Sequence, residues 1–197
     1  MDRLYLKSQA KQQIRGNIGV LFVITLIISI ISTLSGLVLS QIPIVGNLIS
    51  TFIIAPAFTL SITQIYLNIT INKTPAVSDA FSGFNSFWTA FKVQFLAALF
   101  AFLWSLLLII PGIIKSISYS MSMYVLAENN EKSALECINE SKRITEGYKL
   151  DLFVLALSFI GWIFVGYITF GIAYIWILPY MQATFANAYV NIKGTNA

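Results

Sequence analysis

Apolar residues run without a charge from Ile18 to Leu39. At 1.5 Å per residue a helix over this stretch is about 33 Å long, enough to cross a bilayer core of about 30 Å. Most of its residues are Leu, Ile, Val or Phe, each favouring insertion by roughly 0.3–0.6 kcal/mol. Its Ser and Thr residues are tolerable because a hydroxyl can bond the carbonyl one turn earlier in the same helix. The run is longer than a signal-peptide core, and no small-residue cleavage pattern follows it. The pattern predicts a retained membrane helix. Further apolar runs extend from Asn47 to Ile69, interrupted by Pro56, and from Val93 to Ile110, ended by Pro111-Gly112. Ile113 to Ala127 is short and speckled with polar residues, either a full span or a re-entrant segment. Leu152 to Phe170 and Ile172 to Val190 make a last pair, split at Gly171.

Charge placement orients these runs. With the N-terminus inside, the cytoplasmic stretches hold Arg3, Lys7, Lys11, Arg15, Lys73, Lys92, Lys132, Lys142, Arg143, Lys149 and Lys193, every basic residue but Lys115. The outer turns, near 40–46, 111–112 and 170–171, hold none. Loops rich in Lys and Arg stay on the cytoplasmic side, so the expected fold is all-α. It is a single transmembrane domain over 1–197, with six transmembrane helices as three hairpins and both termini in the cytoplasm.

Two inner segments have helical amphipathic spacing. Residues 2–16 place Arg3, Lys7, Lys11 and Arg15 at i, i+4 steps beside Leu6, Ala10 and Ile14. Residues 133–147 place Ala134, Ile138, Ser141 and Thr145 on one stripe, with Cys137 and Ile144 alongside, and Ser133 with Glu136 as a capping box. Lys142 and Glu146 can pair one turn apart. The four-cation stripe is a candidate anionic-lipid contact, or a solvated helix at the edge of its own bundle.

The chain also repeats. Ala10-Lys11, Gly16 and Leu21-Phe22-Val23 recur as Ser141-Lys142, Gly147 and Leu152-Phe153-Val154 at one constant spacing. Pro56, Gln64, Tyr66, Asn68 and Ile69 recur at another as Pro179, Asn187, Tyr189, Asn191 and Ile192. A shorter outer turn in the second copy absorbs the difference. A parallel internal repeat of 10–69 and 141–192 is therefore expected, related by an axis along the membrane normal, with a kink at each proline.

Composition removes other classes. Hydrophobic residues make up 57% of the 197 and charged ones only 10%, with a net charge of +4 and no histidine. So few charges cannot cover a soluble monomer, whose apolar patches would then aggregate, and the chain is far too apolar for disorder. Cys137 is the only cysteine, which excludes a disulfide framework. No metal-ligand cluster, phosphate loop or general base is visible. The expectation is no enzyme, no cofactor, no metal and no nucleic-acid partner. Partners would be membrane lipids, a second copy or a membrane protein.

One segment carries candidate chemistry. On a helix, Lys115, Ser118, Tyr119 and Ser122 form a polar stripe opposite Ile114, Ile117, Met121 and Val125. Hydroxyls facing lipid gain nothing, so the stripe should face the bundle. It is either a ligand groove or glue between helices, with Lys115 snorkelling outward.

Pro111-Gly112-Ile113-Ile114-Lys115, Tyr119-Ser120-Met121, Leu126-Ala127-Glu128-Asn129 and Ser141-Lys142 resemble an uncharacterised family of Gram-positive integral membrane proteins, domain of unknown function 975. Gly147-Tyr148-Lys149, Leu157-Ser158-Phe159-Ile160-Gly161-Trp162, Thr169-Phe170-Gly171-Ile172 and Pro179-Tyr180 continue the likeness. The resemblance implies a polytopic protein of the bacterial cytoplasmic membrane with no assigned activity, and supplies no catalytic residues. The leading expectation is a non-enzymatic protein that binds or passes an amphiphilic lipid- or peptide-like ligand, alone or beside a partner transporter. The alternative is a structural, regulatory or immunity-type subunit with no ligand of its own.

Overall fold

The computed structural model describes residues 1–39 and 54–196, and within them every regular element is helical. In chain order these are α1 (Arg3–Arg15), α2 (Ile18–Leu39), α3 (Ala55–Thr70), a 3₁₀ helix (Val77–Ser86), α4 (Phe87–Leu107), α5 (Ile109–Tyr119) and α6 (Ser122–Glu128). They continue as α7 (Ala134–Ile144), α8 (Lys149–Leu157), α9 (Ile160–Ile168) and α10 (Tyr174–Asn196). Residues 47–53 of the expected second span, and the expected outer turn at 40–46, lie outside the described residues.

Both amphipathic helices form with the expected caps. The Asp2 carboxylate accepts from the backbone N–H of Leu4 and Tyr5, closing the first turn of α1. Ser133 and Glu136 make the reciprocal capping box of α7. Leu6, Ala10 and Ile14 are buried on one stripe of α1, and Cys137, Ile138, Ser141 and Ile144 on one stripe of α7. Lys142 does not take Glu146; its ammonium reaches Asn139 Oδ1 at 3.4 Å.

Four stretches are long and apolar enough to cross a membrane among the described residues: Ile18–Leu37, Val77–Leu107, Ile109–Glu128 and Lys149–Ile168. The segment expected at 113–127 is thus part of a longer one, broken at Ser120 and Met121 into α5 and α6. The expected turn at Pro111-Gly112 is displaced. The chain reverses at Leu108, which is extended (φ −159°, ψ 141°), and Pro111 sits in the first turn of α5. A proline is harmless there, because the first N–H groups of a helix have no partner to lose. Gly112 lets the hairpin close: a Cβ there would meet Ser105 Cα at 2.8 Å. The later hairpin turns where expected, with Gly171 left-handed (φ 90°) and its N–H bonded to the Gly166 carbonyl at 2.9 Å.

The expected second and sixth spans supply the centre of the bundle. Pro56 opens α3, whereas Pro179 lies inside α10. Around α3 pack the 3₁₀ helix, α6 and α10, and α1 lies along α10. Ala57, Leu60, Ser61, Ile65 and Ile69 of α3, with Ala183, Ala186, Ala188, Tyr189 and Ile192 of α10, are almost fully buried. Shielded helices can afford Thr, Gln and Asn, whose polar groups find partners inside the protein. The amides of Gln13 and Asn187 bond each other reciprocally, at 2.7 and 3.3 Å. Gln64 binds Ser82 and Asn130.

Packing is uneven along the bundle. The core gathers at the end that carries α1 and α7, while the far ends of the hairpins stand open. Leu106 to Ile110, Tyr167, Ile168, Phe170 and Ile172 are all strongly exposed, Phe170 at 98%.

Another tight point is Gly83, where a Cβ would lie 2.1 Å from the Ala57 carbonyl oxygen and 2.8 Å from Ser61 N. Its own N–H bonds Ser61 Oγ at 2.9 Å. Gly83→Ala is expected to destabilise the fold by about 1–3 kcal/mol. Gly161→Ala, with nothing within 4 Å of the added carbon, should be neutral or mildly stabilising. Thermal melts in detergent check this, and equal midpoints for the two variants would contradict it.

Candidate functional site

The polar stripe is held inside its own helices. Ser118 Oγ donates to the Ile114 carbonyl at 2.9 Å, and Ser122 Oγ to the Tyr119 carbonyl at 2.8 Å. Both residues are buried. The Ser118 carbonyl in turn accepts from Ser141 Oγ of α7 at 2.7 Å. The Tyr119 ring sits 6.1 Å from the Phe100 ring, with the Lys142 ammonium 5.6 Å from its own centroid. Lys115 places its ammonium 4.7 Å above the Trp104 ring of α4, a cation–π contact worth about 0.5–2 kcal/mol. Ser118 and Tyr119 thus tie α5 to α7, Ser122 ties α6 to α5, and Lys115 ties α5 to α4.

The opposite face of α5 is different. Ile110, Ile113, Ile114 and Ile117 line a lateral cavity of about 480 Å³, closed on its other side by Lys149, Leu150 and Phe153 of α8. Its size falls in the range of roughly 300–1,000 Å³ typical of small-molecule sites. The wall is apolar and Lys149 is its one charged group. Lys149 has no acidic partner among the described residues. Apolar surface with one ammonium at its edge suits an amphiphile. None of Lys115, Ser118, Tyr119 and Ser122 borders this cavity. Sequence reasoning missed it, although its parts are in the sequence: isoleucines at i, i+3, i+4, i+7 on α5, and a lysine opening the next apolar run beside Leu150 and Phe153.

The four cations of α1 divide between two environments. Arg3, Lys11 and Arg15 are exposed and have no acidic partner among the described residues. Lys7 folds back with its ammonium 4.5 Å from the Phe159 ring centre, and partial burial, then the nearby Arg3 charge, lower its pKa. The Met1 amino group reaches Asp151 Oδ2 at 3.4 Å, adding a tie between the start of the chain and α8. On α7, hydrogen bonds from Ser133 hold the Glu136 carboxyl below its ordinary range. In α4, Gln94 Oε1 is a buried acceptor without a donor among the described residues.

Sequence comparison places these features in a family. The profile of the family described as protein of unknown function (DUF975) matches residues 1–118 and 106–196. The chain belongs to this family. No curated protein and no solved structure matches it. Both walls of the lateral cavity fall inside the second DUF975 match.

Cys137 is the one reactive side chain by type, and burial pushes its thiol up to about 11. A thiol is a poor nucleophile until ionised, and this one is fully buried. It should resist a maleimide at pH 7.5 from either side of the membrane and react within minutes once denaturing detergent opens α7. Rapid labelling of the folded protein would show that α7 does not pack as described.

Proposed function

We propose that this DUF975 protein is a non-enzymatic component of the bacterial cytoplasmic membrane that holds a lipid-like amphiphile in the lateral cavity between α5 and α8. The observation that carries this reading is the apolar wall of Ile110, Ile113, Ile114, Ile117, Leu150 and Phe153 with Lys149 at its edge. In this reading α3 and α10 complete six spans in three hairpins, with both termini cytoplasmic. As described, α3 has 16 residues, and the polar groups of α10 lower its mean hydropathy. The stretches 10–69 and 141–192 would be parallel copies, and the exposed cations Arg3, Lys11 and Arg15, with Lys7, would rest on anionic headgroups.

The energetics fix what can give selectivity. Lipid tails are as apolar as the cavity wall, so moving a chain from bilayer to cavity gains little. Discrimination rests on shape and on the Lys149 ammonium, and a lysine near the surface is worth about 1 kcal/mol toward an anionic headgroup. A structural or regulatory subunit is the competing reading. It is favoured by Ser118, Ser122 and Ser141, which spend their hydroxyls on carbonyls, and by the broad apolar far end.

Purification in mild detergent followed by lipid analysis separates the two. Anionic lipid should be retained by the native chain and reduced about fivefold by Lys149→Ala, the equivalent of about 1 kcal/mol. Ile114→Trp should displace the bound chain while leaving the melting midpoint within a few degrees. If neither variant changes the retained lipid, the cavity is ordinary lipid-facing surface and the subunit reading stands.

Topology has its own readout. With Cys137→Ala as background, a cysteine replacing the exposed Asn139 should react with an impermeant maleimide only in inverted vesicles. Labelling in intact cells would contradict the cytoplasmic assignment of both ends.

A further inference from the structure

A second cavity, of about 470 Å³, opens where α3, α6 and α10 end together. It is separate from the lateral cavity and shares no residue with it. Its polar lining comes from Asn68, Lys73, Glu128, Tyr189 and Lys193, and its apolar lining from Leu67, Ile71 and Val190. The local backbone builds the site. Asn72 is left-handed (φ 60°), and this turn folds the chain back so that Lys73 N–H bonds the Asn68 carbonyl at 3.0 Å. Lys73 is thereby kept beside the helix end it would otherwise leave.

The cavity has two chemical faces. On one, Lys73 is exposed without an acidic partner among the described residues, and the Asn68 side-chain amide likewise has no hydrogen bond among them. Lys193 pairs with Glu128. On the other face, Glu128 spends a single oxygen on its protein partners: Oε2 accepts both the Tyr189 hydroxyl, at 2.6 Å, and the Lys193 ammonium. Oε1 has no partner among the described residues. Beside it ends α6, whose last carbonyls carry partial negative charge, whereas those of α3 are taken up by the turn at Ile71, Asn72 and Lys73. Two ammoniums face one carboxylate and one helix carbonyl end, so the balance suits neither a bare anion nor a bare cation.

We propose that this cavity binds a zwitterion with a phosphate and a primary ammonium a few atoms apart, the headgroup of phosphatidylethanolamine. The phosphate takes Lys73, the Asn68 amide and a share of Lys193. The ammonium donates to Glu128 Oε1 and to a last-turn carbonyl of α6. Leu67, Ile71 and Val190 provide the apolar surface along which the glycerol and first methylenes leave toward the bilayer. A quaternary choline has no N–H to donate, and phosphatidylglycerol has no cation at all. Discrimination among headgroups therefore follows from hydrogen bonding to Glu128.

The full chain in nanodiscs, examined by native mass spectrometry with phosphatidylethanolamine, phosphatidylcholine and phosphatidylglycerol of identical acyl chains, tests this. In the Lys149→Ala chain, whose lateral cavity no longer favours an anionic headgroup, the expected result is at least tenfold preferential retention of phosphatidylethanolamine over the other two. Lys73→Ala, at an exposed position without a structural partner, should cut that retention about fivefold. Glu128→Gln should remove the preference over phosphatidylcholine. Should Glu128→Gln fail to fold, Asn68→Ala and Lys73→Ala carry the decision. Equal retention of all three lipids overturns the proposal, as does a preference for phosphatidylglycerol, which would mark a simple anion site. Soluble phosphoethanolamine competing at equal concentration would assign the site to a free zwitterion and overturn the lipid assignment. The preference over phosphatidylcholine should be the same with Lys149 present, which separates the outcome from that of the lateral cavity.

Discussion

Twenty charged side chains, 12 basic and 8 acidic, are too few to clothe 197 residues in water, and the rest of the structure follows from that shortage. Apolar surface left without charge must be covered by hydrocarbon or by protein. Helices lying in hydrocarbon need no hydrophobic core of their own and can part at one end without penalty. The far ends of the hairpins do so, with Ile109, Ile110, Ile168 and Phe170 turned outward. Charges and amides, few as they are, gather at the opposite end, where α1, α7 and the ends of α3, α6 and α10 meet.

That gathering also decides which helices become central. A span touching lipid on most sides has to be free of charge, as α2 is. A span enclosed by others can carry Ser61, Gln64, Thr184 and Asn187, provided each finds a partner: Ser61 its own helix and Gly83, Gln64 the 3₁₀ helix and Asn130, Thr184 the Tyr180 carbonyl, Asn187 the α1 helix. The amphipathic helix α1 is in this sense a structural cover for α10. Its apolar stripe and Gln13 are committed to the bundle, and Arg3, Lys11 and Arg15 stay exposed.

Local chemistry was legible in the sequence wherever one physical cause dominated. The i, i+4 cations with Leu6, Ala10 and Ile14 could only be an amphipathic helix, and Ser133 with Glu136 could cap only the start of α7. Gly171 marked the last turn because a left-handed residue was needed there. Pro111-Gly112 misled for an understandable reason: that pair more often ends a helix than begins one, and the real reversal at Leu108 has no turn residue to announce it. The stripe of Lys115, Ser118, Tyr119 and Ser122 was correctly read as polar on one side. Periodicity could not tell that Ser118 and Ser122 would satisfy themselves on carbonyls of their own segment, leaving the isoleucine face to border a cavity. Neither cavity was visible beforehand, since each is made by residues more than thirty positions apart whose meeting depends on how α5 leans on α8 and where α3, α6 and α10 end.

The central claim is that the open end of the bundle is stabilised by lipid and the opposite end by protein packing. Spin-label accessibility in reconstituted membranes tests it most directly. Labels placed singly at Ile110 and at Ile168 should collide frequently with oxygen, which concentrates in hydrocarbon, and rarely with a water-soluble nickel chelate. A label at exposed Asn139 should show the reverse. High nickel accessibility at Ile110 and Ile168 would place these tips in water and contradict the account.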